Sequence, residues 1–413
     1  MVNFGLNIFK LYKNNFMRFS ISSLKTMAAL SISLIGILPI SGCNNKSKTS
    51  NNLSESTIIS QNSDSLFKKY NLDKIKLPDG FKISVYAEVP NARSMCVSPN
   101  GTLFVGTKEK NVYAVTDENH DGKADKVYVI ASGLNAPNGV AFKDGSLYIG
   151  TISIIYRLDS IESKLNNPSA PIVVYDKFPT ATHHGNKFIA FGPDGKLYVP
   201  IGAPCNICDS PKPYASITRI NPDGTGFEIY ATGIRDCVGF AFNPLTKNLW
   251  FTDNGRDMLG DDIPSDELNS APQIGMNFGY PYCHEGDILD PEYGKGKNCS
   301  DYTAPVKKLG AHVASLGMRF YTGSLFPAEY KNAIFIAEHG SWNRTIPIGY
   351  RVVVAKMDSR GNFSDPIPFA DGWLQNVSNV NGRPVDVQEL KDGSLLVSDD
   401  YKGVIYKITY AGK

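Results

Sequence analysis

Six times along the chain a short apolar run follows directly on turn residues: GTLFVG at 101–106, GSLYIG at 145–150, GKLYVP at 195–200, KNLWFT at 247–252, KNAIFIA at 331–337 and GSLLVS at 393–398. Most are preceded by a second apolar run, as in VAFKDGSLYIG and FIAFGPDGKLYVP, so each unit contains a hairpin with a Gly- or Asn-bearing turn. A third strand commonly follows, such as NVYAVT, IIYRLD or GVIYKITY. A unit of this size cannot bury its own apolar faces, and six of them at intervals of about 44 to 84 residues imply a radial array. The predicted architecture is all-β: a six-bladed β-propeller of four-stranded antiparallel sheets. FKISVYAEV, residues 81–89, has no hairpin partner and is predicted to be the outer strand that closes the ring against GVIYKITY, removing a free sheet edge. The widest interval, between 252 and 331, holds an insertion rich in Gly, Asp and Asn, and loops that long are usually functional.

Composition agrees with many short strands joined by tight turns. The chain has 37 Gly and 25 Pro to set turn dihedrals, beside 21 Tyr and 21 Phe that suit a pleated surface. Its 42 basic and 40 acidic residues leave a formal charge of +2, so no broad basic field invites nucleic acid and a small-molecule partner is the default. Outside the leader, no amphipathic stretch of helical period exceeds a turn or two, which argues against helical and TIM-type folds.

Residues 1–43 are of another kind. Lys10, Lys13, Arg18 and Lys25 precede MAALSISLIGILPI, Met27 to Ile40, which is too short to span a bilayer comfortably and reads as an export signal. It ends in ISGC, the form of a bacterial lipoprotein cleavage box, so Cys43 is expected to become a lipidated first residue that anchors an exported protein to a bacterial membrane, at the periplasmic face or cell surface. A plain secretory signal with an incidental cysteine is the alternative. Residues 44–70 are expected to be a flexible tether, and 71–413 the propeller. The remaining cysteines, Cys96, Cys205, Cys208, Cys237, Cys283 and Cys299, suggest disulfides in an exported chain. Cys283 with Cys299 is the first expected pair, whereas CNIC (205–208) either closes a tight ring or pairs elsewhere. With a single CxxC and no CxxCH, neither a cysteine zinc site nor attached haem is expected.

In a propeller, the residues just before each inner strand surround a common mouth. Here they are Arg93, Asn138, His184, Arg235 with Asp236, His312, and Arg383 with Asp386. Any one of these alone would be an ordinary loop residue. Converging, they form a small cationic basin suited to a ligand with several carboxylates. Separately, in TDENHDGKAD, Asp117, Asn119, Asp121 and Asp125 occupy positions 1, 3, 5 and 9 of a calcium loop, with Gly122 at the sharp turn. Its twelfth position is Tyr128, so a structural calcium and a metal-free polar turn both stand. Asp262, Asp266 and Glu267 likewise read as a second calcium site or a solvated acidic face.

HHGNKFIAFGPDGKLYVPIG, GIRDCVGFAFNP, FTDNGRDMLGDDIPSDELN, NFGYP and GRPVDV, in this order over roughly 78–410, resemble the soluble quinoprotein glucose/sorbosone dehydrogenases, six-bladed propellers that use pyrroloquinoline quinone (PQQ). The resemblance implies a general base at His184, which has the matching distance to the GPDGK turn, and puts His183 where a neighbouring residue contacts the cofactor. It makes Arg235 the active-site arginine, with Asp236 standing where some members have asparagine. It implies that Asn254 contacts the cofactor and that the backbone carbonyls of Gly255 and Arg256 bind an active-site calcium, with Glu267 a further metal ligand. Arg383 matches a quinone-carboxylate arginine. His312, and Trp342 with Arg344 in EHGSWNR, stand where the glucose enzymes have other cofactor contacts, which points toward the sorbosone-type branch. Arg235, Arg344 and Arg383 would bind the three cofactor carboxylates.

The expected activity is therefore a PQQ- and calcium-dependent dehydrogenase that oxidises an aldose or related sugar aldehyde by hydride transfer. Electrons would pass to a separate acceptor, a cytochrome or a membrane quinone. The alternatives are a calcium-dependent propeller lactonase, which would need several Asp, Asn or Glu side chains on a central metal, and a non-catalytic propeller that binds carbohydrate or protein.

Overall fold

The computed structural model describes residues 57–58 and 63–412. The expected leader 1–43 with Cys43, and most of the expected tether, lie outside these residues. Six small antiparallel sheets follow one another along the chain. Blade 1 is built from 92–97, 103–107, 112–116 and 126–131; blade 2 from 139–143, 146–150, 155–158 and 172–175; blade 3 from 190–191, 197–201, 216–220 and 228–232. Blade 4 is built from 239–242, 249–253, 265–271 and 307–311; blade 5 from 315–320, 334–338, 351–355 and 367–370. Blade 6 joins both ends of the domain: 384–389, 395–399 and 404–410 are completed by 81–88. This closing strand runs antiparallel to the last, in register from Phe81 opposite Tyr410 to Glu88 opposite Val404. The ring closure read from FKISVYAEV is present.

The second strand of each blade is the repeat seen in the sequence. LFVGT, LYVPI, LWFTD, IFIAE and LLVSD are buried at every position. Each is sheltered by strands on both sides and by neighbouring blades above and below, so it shows a continuous apolar run instead of alternation. Between blades 3 and 4, Phe188, Tyr198, Phe240 and Phe251 form one such interface; between blades 4 and 5 it is Trp250, Met318, Ile336 and Val353. Around the axis the inner strands approach too closely for side chains. A Cβ on Gly239 would lie 2.1 Å from the Leu316 carbonyl oxygen.

One expectation needs correction. Residues 63–70, assigned to the tether, contain a helix, Ser63–Lys69, followed by a 3₁₀ turn at Leu72–Lys74. Leu66 and Tyr70 are spaced i, i+4 and bury with Leu72 against Trp373 and Tyr406, so this polar-looking stretch carries a docking stripe. The interval 252–331 does hold an insertion, set between blade strands. It contains the third and outer strands of blade 4 and the inner strand of blade 5, leaving 272–306 as the true insertion. Ser265–Ala271 was hidden because it buries polar residues, Asp266, Glu267 and Asn269, where an apolar run would be expected. The insertion adds Met276–Asn277 in parallel to the edge of blade 3 and is tied by the disulfide Cys283–Cys299. Cys205 and Cys208 bond to each other, and Cys96 and Cys237 are free thiols.

Candidate active site at the propeller mouth

His184 sits in the loop before the inner strand of blade 3 with φ of 49°, a left-handed conformation that non-glycine residues adopt at a cost. Its Cβ and carbonyl pack onto Gly202, where an added Cβ would lie 2.5 Å from the His184 Cβ. The Nδ1 atom lies 2.9 Å from the Ala203 carbonyl oxygen. A carbonyl only accepts, so Nδ1 holds the proton and Nε2 keeps its lone pair. Burial lowers the His184 pKa below 6.5, opposed by the nearby Asp236 carboxylate. His183 is exposed, its ring 4.0 Å from that of His184. The two histidines are therefore unequal: His184 is half-buried with an oriented ring, whereas His183 is exposed.

Blade 4 adjoins this histidine. The Ala203 amide donates to the Arg235 carbonyl at 2.8 Å, which links the His184 anchor to the Arg235–Asp236 step. That step is held by Asp253, whose two carboxylate oxygens accept the amides of Arg235 (2.9 Å) and Asp236 (2.7 Å). The Arg235 guanidinium is buried and donates to the Asn206 carbonyl and side chain, the Asn254 carbonyl, and Asp257 at 3.0 Å. Four of its five N–H groups are thus spent within the protein, so its part is to build the wall more than to clasp a carboxylate. Asn254 is likewise structural through its amide, donating to the carbonyls of Asp236 (2.9 Å) and Ser315 (3.3 Å).

Beneath Asn254 lies a set of buried acids. Asp266 accepts the amides of Gly255 (3.0 Å) and Ser315 (2.9 Å), and Glu267 accepts from Asn269 (2.9 Å) and the Glu285 amide (2.7 Å). Burial pushes Asp266 up to about 6 and Glu267 up to about 7, the latter helped by Asp266 and Glu285; Asp253 is also raised by burial and by Glu267. The buried oxygens Asn269 Oδ1 and Ser315 Oγ have no hydrogen-bond partner. Glu267 and the unpartnered Asn269 Oδ1 beside it offer hard oxygens of the kind calcium takes; among the described residues no group of three or more His, Cys, Asp or Glu is arranged as a metal site, so backbone carbonyls would have to complete the shell. Asp253, Asn254, Gly255 and Glu267 share the walls of a cavity of about 10 Å³. The buried Arg256 guanidinium pairs with Asp290 (2.5 Å) and Glu292 (3.0 Å), fastening the insertion through its side chain and not through its backbone carbonyl.

The far side of the mouth comes from blades 5 and 6. His312 has φ of 60° and its Nε2 lies 2.9 Å from the Gly260 carbonyl oxygen. Arg344 donates to the Ile346 and Asp261 carbonyls and to Asp262, stitching the 339–350 loop to the 254–264 loop, with Trp342 left 68% exposed. Arg383 donates to the carbonyls of His339 (3.0 Å) and Gly340 (2.7 Å) and lies over the Tyr350 ring, and it retains unspent N–H groups. Arg93 is committed to Asn138 (2.6 Å) and Asp400 (2.7 Å), and Asp386 to the Met95 and Val387 amides. The sequence did not single out His339, Lys108 or Asp400, which form a charge cluster with Arg93: His339 Nε2 lies 2.8 Å and Lys108 Nζ 3.1 Å from Asp400. Nor did it single out Asp253 or Lys187. Asp253 ends a repeat strand, and that placement was the available signal.

The Asp117–Asp125 loop is elsewhere. It joins the third and outer strands of blade 1, at the opposite end of the blade from the mouth. Asp117 accepts the Gly122 amide, Asn119 the Asp121 amide, Asp121 the Lys123 amide, and Asp125 the amides of Glu118 and Asn119. These bonds close the loop largely on its own amides, while the buried Asp117 Oδ1 has no hydrogen-bond partner.

The family model for glucose/sorbosone dehydrogenases matches residues 90–407. A protein of Borreliella burgdorferi described as uncharacterized is 34% identical over 350 residues, 81% of this chain and 91% of that one. The Escherichia coli aldose sugar dehydrogenase YliI is 28% identical over 180 residues, 39% of this chain and 46% of that enzyme. The PQQ-dependent pyranose dehydrogenase of Coprinopsis cinerea is 30% identical over 166 residues, 32% of this chain and 22% of that enzyme. The holo form of its PQQ domain has the same fold, with a TM-score of 0.68 at 19% identity over 81% of this chain and 97% of that chain.

Proposed function

We propose that this chain, which belongs to the glucose/sorbosone dehydrogenase family, oxidises an aldose or related sugar aldehyde with bound PQQ and calcium. When bound, PQQ would supply the two-electron acceptor and calcium the positive charge that polarises it. The residues present fit both groups. Glu267 and the unpartnered Asn269 Oδ1 beside it would give oxygen ligands to calcium, together with the carbonyls at Gly255 and Arg256. Arg383 has N–H groups to give to a cofactor carboxylate, and Trp342 offers an exposed ring at the rim.

The observation that carries the reading is the oriented, neutral His184. Its Nε2 would take the proton of the sugar hydroxyl whose carbon gives up hydride to the two-electron acceptor, while the Ala203 carbonyl holds the ring in place. Asp236 stabilises the imidazolium that forms, since its charge favours protonated His184. Electrons would leave to a separate cytochrome or membrane quinone, and Cys43 would hold the exported protein at a bacterial membrane. Purified protein reconstituted with PQQ and calcium should reduce an artificial dye with at least one aldose. Inactivity across a sugar panel, with no PQQ bound, would refute the reading. Metabolic labelling with a radioactive fatty acid tests the anchor: label lost in Cys43→Ala supports it, and unlabelled wild type rejects it.

A further inference from the structure

Five lysine and arginine residues are buried among the described residues: Arg93, Lys187, Arg235, Arg256 and Lys407. Four have a carboxylate partner, respectively Asp400, Asp257, Asp290 and Asp392 for Arg93, Arg235, Arg256 and Lys407. Lys187 has none within ion-pair distance. It is 2% exposed, and its Nζ makes one long hydrogen bond, 3.4 Å, to the carbonyl of Gly185. An ammonium carries three donors and loses most of its hydration on burial, so this arrangement is unfavourable as it stands. An apolar chain of the same length would fill the space without that penalty.

Position indicates what completes it. Lys187 lies three residues after His184, and its carbonyl is gripped by Asn138 at 2.7 Å, which fixes the start of its side chain on the inner wall. From the next blade the Asp236 carboxylate acts on the ammonium, as it also acts on His184. The Lys187 hydrogen bond to Gly185, the residue that follows His184, keeps the ammonium close to that histidine. The three arginines expected to hold cofactor carboxylates are unequally available, since Arg235 and Arg344 are largely spent on protein groups and Arg383 is not.

We infer that Lys187 is a cofactor-binding residue whose ammonium takes a carboxylate of the bound quinone, in place of the arginine that the wall has consumed. The inference rests on the PQQ reading. It also explains how an anionic Asp236 is accommodated where a polyanion must bind, since Lys187 offsets its charge. Burial brings the ammonium pKa down to about 8, which leaves it mostly charged at neutral pH.

The test is titration of PQQ into the calcium-supplemented protein, followed by fluorescence quenching, for wild type, Lys187→Met and Lys187→Arg, with thermal unfolding measured without PQQ. We expect Lys187→Met to bind PQQ at least tenfold more weakly, Lys187→Arg within about threefold of wild type, and quinone-free Lys187→Met to unfold no lower than wild type. Equal affinity in Lys187→Met would overturn the assignment and leave the PQQ reading standing. A lowered unfolding temperature with unchanged affinity would make the residue purely structural. Wild type that binds no PQQ would remove both. Should Lys187→Met not fold, Lys187→Gln, which keeps a donor to Gly185 but no charge, decides by the same tenfold criterion.

Discussion

A single hydrogen bond separates His184 from His183. Because the Ala203 carbonyl fixes the tautomer of His184, substituting this residue by Ala should reduce turnover by about 100-fold or more. PQQ affinity should change little, and His183→Ala should keep most of the turnover; steady-state kinetics beside a binding titration checks both. The pH profile carries a sign. Burial lowers the His184 pKa, so the base form persists below pH 6.5, and the acid limb of kcat/KM should fall below that value. Asp236→Asn removes the charge that opposes this shift and should move the limb further toward acid; a move toward alkali would contradict the arrangement. His339 gives a stability counterpart. Burial holds it down to about 4 despite Asp400, so between pH 6.5 and about 4 the unfolded chain binds a proton that the folded one refuses, and stability falls as the pH falls. His339→Gln should flatten that part of the curve in denaturant titrations at several pH values. His184 could be found from the sequence because its distance to the GPDGK turn is countable. Lys187 could not, because nothing in HHGNK distinguishes a buried lysine from a solvated one.

Elements were readable where burial is two-sided. The second strands announce themselves as apolar runs, and each lies where GTLFVG and its five counterparts put it. Ser265–Ala271 escaped notice for the opposite reason: it exchanges apolar residues for Asp266, Glu267 and Asn269, so the strand nearest the proposed calcium chemistry looks like loop. The helix Ser63–Lys69 was missed because two apolar residues in a polar stretch suffice to dock one turn. Leu66→Ala should accordingly destabilise the propeller by about 2 kcal/mol or more, a value typical of buried leucines, which would not happen to a free tether. In the insertion, the Cys283–Cys299 bond spans 16 residues. Its removal by paired Ser substitutions should cost about 3 kcal/mol on the loop-entropy account, measurable by chemical unfolding.

At the level of the whole molecule, the ring is closed by its two ends. Phe81 on the closing strand meets Phe326, Tyr330, Phe369 and Tyr410 with ring centroids 4.8 to 5.4 Å apart, binding the start of the domain to blades 5 and 6. Closure brings inner-strand loops that are distant in sequence to one mouth, where Arg93 and His339 both meet Asp400. The six-bladed count was readable from repeats alone. How the mouth distributes its charges was not, because the same arginine can face a ligand or spend its donors on carbonyls, and only the packed loops decide. The central claim is that this mouth binds PQQ and uses His184 as base. The most direct measurement is an absorption titration of PQQ into the calcium-loaded protein, followed by sugar-dependent dye reduction by wild type and His184→Ala. The account predicts one quinone per chain in both proteins and turnover only in wild type. Absence of bound quinone, or turnover in His184→Ala within threefold of wild type, would contradict it.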